Sequence, residues 1–188
     1  LHLCDRRQRQ MCIRDRDYND LIIMKPFFDS LFCEFARVIK ENGKVYIFCD
    51  WRTYAFYYPL LLKHINVRNM LVWDKTNGPG SSYAFTHELI LFASKGVPCM
   101  KGSNIFRLPG FAGGAKKTNG EMVHPTQKPV EVIEKLITDS TQEGDLVLDC
   151  FMGSGTTAVA SKKLNRNFIG FEIQEKYIAI SESRLKQV

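Results

Sequence analysis

Apolar side chains in the first half of the chain recur at the spacings of helices and short buried strands. Between residues 26 and 40 they lie three or four positions apart, which predicts an amphipathic helix that begins at Pro26 and ends before Asn42-Gly43. The segment KVYIFCD, residues 44–50, has a continuous apolar run, as in strands buried on both faces. The other elements predicted in this half are a helix at 53–63 and two strands at 67–75 and 87–95. A glycine-containing loop, residues 76–86, joins the two strands.

The second half begins with a long irregular stretch and then returns to alternating elements. Residues 96–123 have no usable period and are rich in glycine, so we interpret them as a surface insertion. A helix stripe follows Pro129 within residues 124–140. The elements predicted after it are a strand, a helix, a strand and a terminal helix, at 145–150, 156–164, 168–173 and 175–187. Strands that alternate with helices predict an α/β fold, with a mostly parallel sheet covered by helices on both faces.

Composition is that of an ordinary globular protein, with 45% hydrophobic and 24% charged residues. No apolar run approaches the roughly 18 residues of a membrane span, so we expect a cytoplasmic protein without a membrane partner. The six cysteines have neither a C-x-x-C spacing nor a neighbouring histidine at metal-ligand spacing. Reduced thiols and no metal site are therefore expected.

Positive charge is concentrated at the start of the chain. The net charge of +6 indicates an anionic partner such as nucleic acid, but residues 1–16 hold five arginines and two aspartates and so carry half of it. The composition of this segment does not match that of the rest of the chain. We interpret 1–16 as a disordered or non-native tail, with a nucleic-acid-binding arm as the alternative, and 17–188 as a single domain.

A glycine turn between two strands is the most informative pattern in the chain. In DLVLDCFMGSGTTAVASKKLNRNFIGFEI, residues 145–173, Gly153 and Gly155 let backbone N–H groups approach a ligand, and a helix begins directly afterwards. Glu172 ends the next strand, where a carboxylate accepts hydrogen bonds from ribose hydroxyls. The same glycines fit a dinucleotide fingerprint, which makes a dehydrogenase the first rival. A carboxylate at Asp149 suits a cationic ligand better than a pyrophosphate.

Three segments resemble one family of enzymes. DCFMGSGTT is similar to the D-P-F-x-G-S-G-T motif with which amino-group DNA methyltransferases bind S-adenosyl-L-methionine. HPTQKPVEVIEKLI resembles the motif that precedes it in the permuted, beta-type members, and LVWDKTNGPGSSYAFTHELILFASKG resembles their strand–loop–strand. The resemblance implies a circularly permuted, Rossmann-like methyltransferase fold that is incomplete at its N-terminus. Residues 124–188 would be the cofactor-binding half, and 96–123 the target-recognition insertion.

The resemblance also assigns roles to residues by position. Thr126 and Lys128 would reach the methionine carboxylate of S-adenosyl-L-methionine, and Glu172 would hold the ribose. Cys150 stands where the family usually has proline. The residues that would line the methionine end of the cofactor are Asp149, Phe151, Gly153, Ser154, Gly155 and Thr156. The candidate DNA contacts are basic side chains, namely Arg52, Lys75, Arg107, Lys116 and Lys117, with Trp51 beside Arg52 at the border of a base pocket.

The catalytic tetrapeptide of the family, [DNS]-P-P-[YFW], does not occur in the 188 residues, so no catalytic residue is assigned. The segment DYND, residues 17–20, has suitable polar and aromatic side chains but no proline. We therefore expect a methyltransferase that has lost its first strand and catalytic loop, and that retains weak cofactor binding without methyl transfer.

The predicted function is site-specific methylation of double-stranded DNA at an exocyclic base amine, with adenine N6 favoured over cytosine N4. An RNA or protein methyltransferase on the same fold, and a non-catalytic cofactor- or DNA-binding module, are the alternatives. A homodimer is left open.

Overall fold

The computed structural model of this chain describes residues 18–78, 83–97, 102–110, 117–118, 121–122 and 127–188. The chain divides into two compact units, of which the first ends at Pro109 and the second begins at Gly110. The described elements of the first unit are α1 (Tyr18–Val38), β1 (Lys44–Cys49), α2 (Trp51–Leu61), β2 (Asn66–Asp74), β3 (His87–Ser94) and β4 (Ile105–Arg107). Those of the second unit are β5 (Lys117–Thr118), β6 (Glu121–Met122), α3 (Val130–Ser140), β7 (Leu146–Asp149), α4 (Thr156–Lys163), β8 (Asn167–Gly170) and α5 (Glu175–Leu185).

The first unit contains a four-stranded sheet in the order β1-β3-β2-β4. Strand β3 lies between β1 and β2 and is antiparallel to both, whereas β4 is parallel to β2. The fold class is α/β as predicted, but this sheet is mixed rather than mostly parallel. The physical reason is that the described residues between β2 and β3 form no helix, whereas the crossover between parallel neighbours is usually helical.

Helix α1 begins at Tyr18, so the predicted start at Pro26 is wrong. Leu21 and Met24 continue the buried stripe of Phe28 and Phe32 toward the N-terminus, and all four side chains are at most 6% exposed. Burial of two such side chains stabilises by roughly 1.5–3 kcal/mol each, which outweighs the roughly 3 kcal/mol that an interior proline costs. The apolar period therefore extends the helix through Pro26.

Strand β4 lies inside the stretch that was predicted to be irregular. Its flanking backbone bonds join Val72 N–H to the Asn104 carbonyl (2.7 Å) and Leu108 N–H to the Asp74 carbonyl (3.1 Å). The indole Nε1 of Trp73, which is 2% exposed, donates to the Leu108 carbonyl at 2.7 Å. Three residues are too few to show a period of two, so sequence patterning misses this strand.

The second unit is built on the parallel pair β7–β8, with Leu146 opposite Asn167 and Asp149 opposite Gly170. Helix α4 packs between α3 and α5 and covers one face of these strands. Its core includes the fully buried Val132 and Ala160. Because the carboxyl ends of parallel strands meet at one edge, the segments after Asp149 and Gly170 leave the strands side by side.

The predictions about membrane spans, cysteines and metal sites can be compared with the described part of the chain. None of its helices has both the length and the apolar character of a membrane span. Its cysteines, Cys33, Cys49 and Cys150, are free thiols. No cluster of three histidine, cysteine, aspartate or glutamate side chains converges on a metal position within these same residues.

Candidate cofactor-binding site

The turn between β7 and α4 is held by the carboxylate of Asp149. One oxygen, Oδ1, accepts the backbone N–H of Phe151 at 2.9 Å, and Oδ2 accepts the hydroxyl of Thr157 at 2.6 Å. Asp149 therefore ties the start of the turn to the first turn of α4. The N–H of Gly155 donates to the Met152 carbonyl at 2.9 Å and closes the loop.

Two glycines have backbone conformations that other residues rarely adopt. Gly153 has φ 53° and Gly155 has φ 78°, both in the left-handed region. Gly155 is also the N-cap of α4. A Cβ at this position would lie 2.5 Å from the Cβ of Ser181 on α5. Glycine is therefore required at Gly155 both by the backbone angle and by contact with α5.

Glu172 lies two residues beyond β8 and faces the glycine turn. Its Oε2 accepts the N–H of Gly153 at 3.0 Å, and its Oε1 accepts the N–H groups of Ile173 and Gln174, each at 2.8 Å. The acid and the turn are brought together, as the pattern predicts. Each carboxylate oxygen has two lone-pair directions, so Oε2 retains capacity for a further donor such as a hydroxyl.

Ser154 and Thr156 are buried beneath the turn, with exposures of 3% and 7%. The guanidinium of Arg184 on α5 donates through one nitrogen to the Ser154 carbonyl (2.6 Å), the Ser154 hydroxyl (3.2 Å) and the Thr156 hydroxyl (3.3 Å). The Thr156 hydroxyl donates in turn to the Lys128 carbonyl at 3.4 Å. Both hydroxyls that were predicted to line the cofactor are thus bonded within the protein.

The remaining predicted cofactor residues lie around this turn or outside the described residues. Lys128 is half-buried in the segment before α3, and the bond from Thr156 connects that segment to the glycine turn. Phe151 is half-buried as well. Burial, together with the charge of Asp149, raises the pKa of the Cys150 thiol above its usual value. Thr126 lies outside the described residues.

Arg52 and Trp51 are the first of the predicted DNA-contacting residues. Arg52 donates to Oδ2 of Asp50 through Nε (3.1 Å) and a terminal nitrogen (3.0 Å), and its guanidinium carbon lies 5.7 Å from the centre of the Trp51 ring. Trp51 is 70% exposed, so it does not pack into the core.

Lys75 and Arg107 are also paired with acids in the first unit. The ammonium of Lys75 lies 3.7 Å from Glu88, and Nε of Arg107 donates to Asp74 at 2.8 Å. Lys116 lies outside the described residues, and the side chain of Lys117 does as well, although its backbone forms part of β5. Each described candidate therefore has part of its charge compensated by a neighbouring carboxylate.

Sequence patterning missed the contribution of α5 to the site. Arg184 and Ser181 lie one helical turn apart and both contact the glycine turn, yet α5 resembles no motif and simply carries polar residues. The sequence does contain one signal, because Ser181 and Arg184 are a small residue and a cation three positions apart, which puts them on one face of a helix.

This arrangement is that of a Rossmann-like methyltransferase, and comparisons with known proteins identify the family. A family model described as DNA methylase matches residues 100–183. The Type II methyltransferase M2.MboI of Moraxella bovis is 31% identical over 195 residues, which cover 93% of this chain and 70% of that protein. This chain belongs to the N6/N4 DNA methyltransferase family, as the sequence motifs predicted.

Two further relatives agree with this assignment. The Type II methyltransferase M.HinfI of Haemophilus influenzae is 30% identical over 193 residues, which cover 91% of this chain and 54% of that protein. The chain thus spans about half the length of that relative. The crystal structure of the M1.HpyAVI-SAM complex has a TM-score of 0.69 and 32% identity, and the match covers 84% of this chain and 81% of that one. The predicted fold class is confirmed.

Proposed function

We propose that this chain binds S-adenosyl-L-methionine and belongs to an enzyme that methylates an exocyclic amine of double-stranded DNA, at adenine N6 in preference to cytosine N4. The observation that carries the proposal is the bond from Gly153 N–H to Glu172, which brings a carboxylate directly against a glycine turn. The relatives support it, because M2.MboI and M.HinfI are Type II methyltransferases and M1.HpyAVI forms a complex with SAM.

The residues of the second unit suit the parts of this cofactor. The remaining lone pair of Glu172 Oε2 suits a ribose hydroxyl, and the carboxylate of Asp149 suits the positive charge of the methionine end. Lys128 is the cation for the methionine carboxylate. The absence of a Cβ at Gly153 and Gly155 leaves the backbone open to a ligand. When bound, the cofactor supplies a methyl group on a positively charged sulfur.

Target binding and catalysis require groups beyond the cofactor turn. We place phosphate contacts at Arg52, Lys75, Arg107, Lys116 and Lys117. The amine of a flipped-out base needs hydrogen-bond acceptors and a stacking ring, which the family tetrapeptide supplies and which no [DNS]-P-P-[YFW] segment supplies in these 188 residues. This chain therefore binds the cofactor without transferring its methyl group. We place it in the cytoplasm.

Calorimetric titration of the 188-residue protein with S-adenosyl-L-methionine tests this function. We expect one binding site, and Glu172→Gln should weaken binding by about tenfold or more because a charged acceptor is lost. Glu175→Gln is the matched control, since Glu175 lies nearby on the exposed start of α5. NADH should not bind.

The outcomes separate the two parts of the proposal. Failure of the wild-type protein to bind S-adenosyl-L-methionine, or equal binding of NADH, would overturn the cofactor assignment. Transfer of a labelled methyl group to duplex DNA by this chain would overturn the statement that it is inactive.

A further inference from the structure

Arg184 is a half-buried cation whose hydrogen bonds to the described residues all go to neutral groups. One guanidinium nitrogen contacts the Ser154 carbonyl, the Ser154 hydroxyl and the Thr156 hydroxyl at 2.6, 3.2 and 3.3 Å. Among the described residues, no carboxylate forms an ion pair with it. Its strongest contact is therefore to the backbone of the glycine turn.

The half-buried guanidinium of Arg184 carries a desolvation cost that an apolar side chain would avoid. Burial lowers the pKa of Arg184, which shows that the surroundings disfavour the charged form. An unbranched apolar side chain such as methionine would fill the same path along α5 without this desolvation. What arginine provides at this position, and an apolar side chain does not, is its hydrogen-bond donors. Those donors bind the turn between Gly153 and α4.

The turn rests on α5 at a second point, one helical turn before Arg184. A Cβ on Gly155 would lie 2.5 Å from the Cβ of Ser181 and 3.1 Å from its Cα. Ser181 is 1% exposed, and its hydroxyl donates to the Ile178 carbonyl at 2.8 Å. The small side chain of Ser181 sets how closely the turn approaches α5, and Arg184 fixes how the turn is oriented there.

The orientation matters because a peptide turn offers either N–H groups or carbonyls to a ligand. Arg184 holds the Ser154 carbonyl and the hydroxyls of Ser154 and Thr156 on the side of α5. Without these bonds, the peptide after Ser154 is held only by the bond from the Gly155 N–H to the Met152 carbonyl, and its carbonyl is released to turn toward a ligand. A carbonyl there repels the carboxylate of an amino-acid ligand.

We propose that Arg184 is a positioning residue, which fixes the glycine turn so that it accepts the methionine end of the cofactor. The inference rests on the proposed function and deepens it. It assigns to α5 a part in recognising the amino-acid portion of S-adenosyl-L-methionine, as distinct from its adenosine portion. Arg184 acts through Ser154 and Thr156 and does not itself touch the cofactor.

The test compares two ligands that share the nucleoside but differ in the amino-acid portion. Arg184→Met removes the donors and keeps an unbranched side chain along the same path, whereas Arg184→Lys keeps a donor and a charge. Lys186→Met removes one positive charge from an exposed site on the same end of α5 and is the matched control. Each protein is titrated by calorimetry with S-adenosyl-L-methionine and with 5′-methylthioadenosine, which lacks the amino-acid portion.

Arg184→Met should weaken S-adenosyl-L-methionine binding by about tenfold or more, because charge-assisted bonds to the turn are lost, and should change 5′-methylthioadenosine binding by less than about twofold. Arg184→Lys should retain binding within about threefold of the wild type, since the ammonium provides donors to the same acceptors. Lys186→Met should match the wild type. Unchanged binding of S-adenosyl-L-methionine by Arg184→Met, or an equal loss for both ligands, would overturn the inference.

Hydrogen exchange of the free proteins separates this inference from the proposed function. In Arg184→Met, the amides of residues 152–157 should exchange at least about tenfold faster, while those of β7 and β8 remain as in the wild type. If the wild-type protein binds neither ligand, the proposed function fails, and this exchange pattern alone decides whether Arg184 orders the turn. Equal exchange rates of residues 152–157 in the wild type and in Arg184→Met would overturn the positioning role.

Discussion

At the scale of single residues, Gly155 shows how backbone conformation and packing act on the same atom. Its φ of 78° excludes most side chains on backbone grounds, and its contact with Ser181 excludes them on steric grounds. Gly144 has a similar φ of 81°, but no atom lies within 4 Å of the position that its Cβ would take. The two glycines therefore separate the two effects.

Alanine at each glycine measures this difference. Gly144→Ala should lower the free energy of unfolding by about 1–2 kcal/mol, the cost of a left-handed alanine. Gly155→Ala should cost at least about 2 kcal/mol more, because Ser181 or the turn must also move. Urea unfolding followed by circular dichroism gives both values. Equal losses would show that the contact with Ser181 does not constrain the turn.

Sequence analysis identified those residues of the candidate site whose position depends on local backbone. Gly153 and Gly155 are required by a sharp turn, and Glu172 follows the next strand at a recognisable distance, so a linear pattern reveals them. Arg184 contributes through the packing of α5 on α4, which no linear pattern encodes. Its contacts to Ser154 and Thr156 appear only once the helices are in place.

At the scale of secondary-structure elements, the N-terminus of helix α2 is closed by a capping box. Asp50 is its N-cap, and Oδ1 accepts the N–H groups of Arg52 (3.0 Å) and Thr53 (2.8 Å), while the Thr53 hydroxyl accepts the Asp50 N–H at 2.9 Å. Burial would raise the pKa of Asp50, but the bonds from Thr53 and Arg52 outweigh it and hold the pKa below its usual 3.8. The ionised form is therefore favoured by folding.

The sign of this shift fixes its effect on stability. A depressed carboxylate pKa contributes stability that is fully present above the unfolded value of 3.8 and is lost as the pH falls through the lower folded value. Asp50→Asn keeps an N-cap of similar strength but cannot titrate. Its free energy of unfolding should fall less steeply than that of the wild type below about pH 4, which thermal unfolding across this range measures. If the free energies of unfolding of the wild type and Asp50→Asn fall equally steeply below about pH 4, Asp50 does not have the lowered pKa.

The elements that sequence patterning located best are those with strong, uniform burial. The run at 44–50 predicted β1 to within one residue of its observed end, because a continuous apolar run leaves little freedom in placing a buried strand. The predicted start of α1 at Pro26 is wrong because the burial of Leu21 and Met24 extends the helix N-terminally beyond the proline. The antiparallel direction of β3 is explained by its connection from β2 and is not encoded in the residues of β3 itself.

At the scale of the whole molecule, the two units carry different parts of the proposed activity. All described cofactor candidates belong to the second unit, whereas the basic candidates Arg52, Lys75 and Arg107 belong to the first and Lys117 belongs to the second. The strands of the second unit also expose an apolar face, on which Leu146, Leu148 and Ile169 are 51%, 43% and 45% exposed. Large exposed apolar faces favour association.

Substitution of this face should change association more than stability. Leu148→Thr combined with Ile169→Thr keeps residues that favour strands and removes exposed apolar surface. We expect the double variant to remain monomeric at higher concentration than the wild type, as measured by light scattering, with a similar free energy of unfolding. Val147→Thr, on the other face of β7, is the control and should lower stability instead. Unchanged scattering by the double variant would show that this face does not drive association.

The position of β3 between β1 and β2 also determines when the first sheet is completed during synthesis. Strand β1 leaves the ribosome before β3, and its pairs, from Lys44 with Ser94 to Cys49 with Leu89, form only after β3 has been translated. At roughly 5–20 residues per second, β1 waits for seconds with its apolar residues unpaired. During that interval the nascent chain depends on α1 and α2, or on a chaperone, to shield the strand from neighbouring chains.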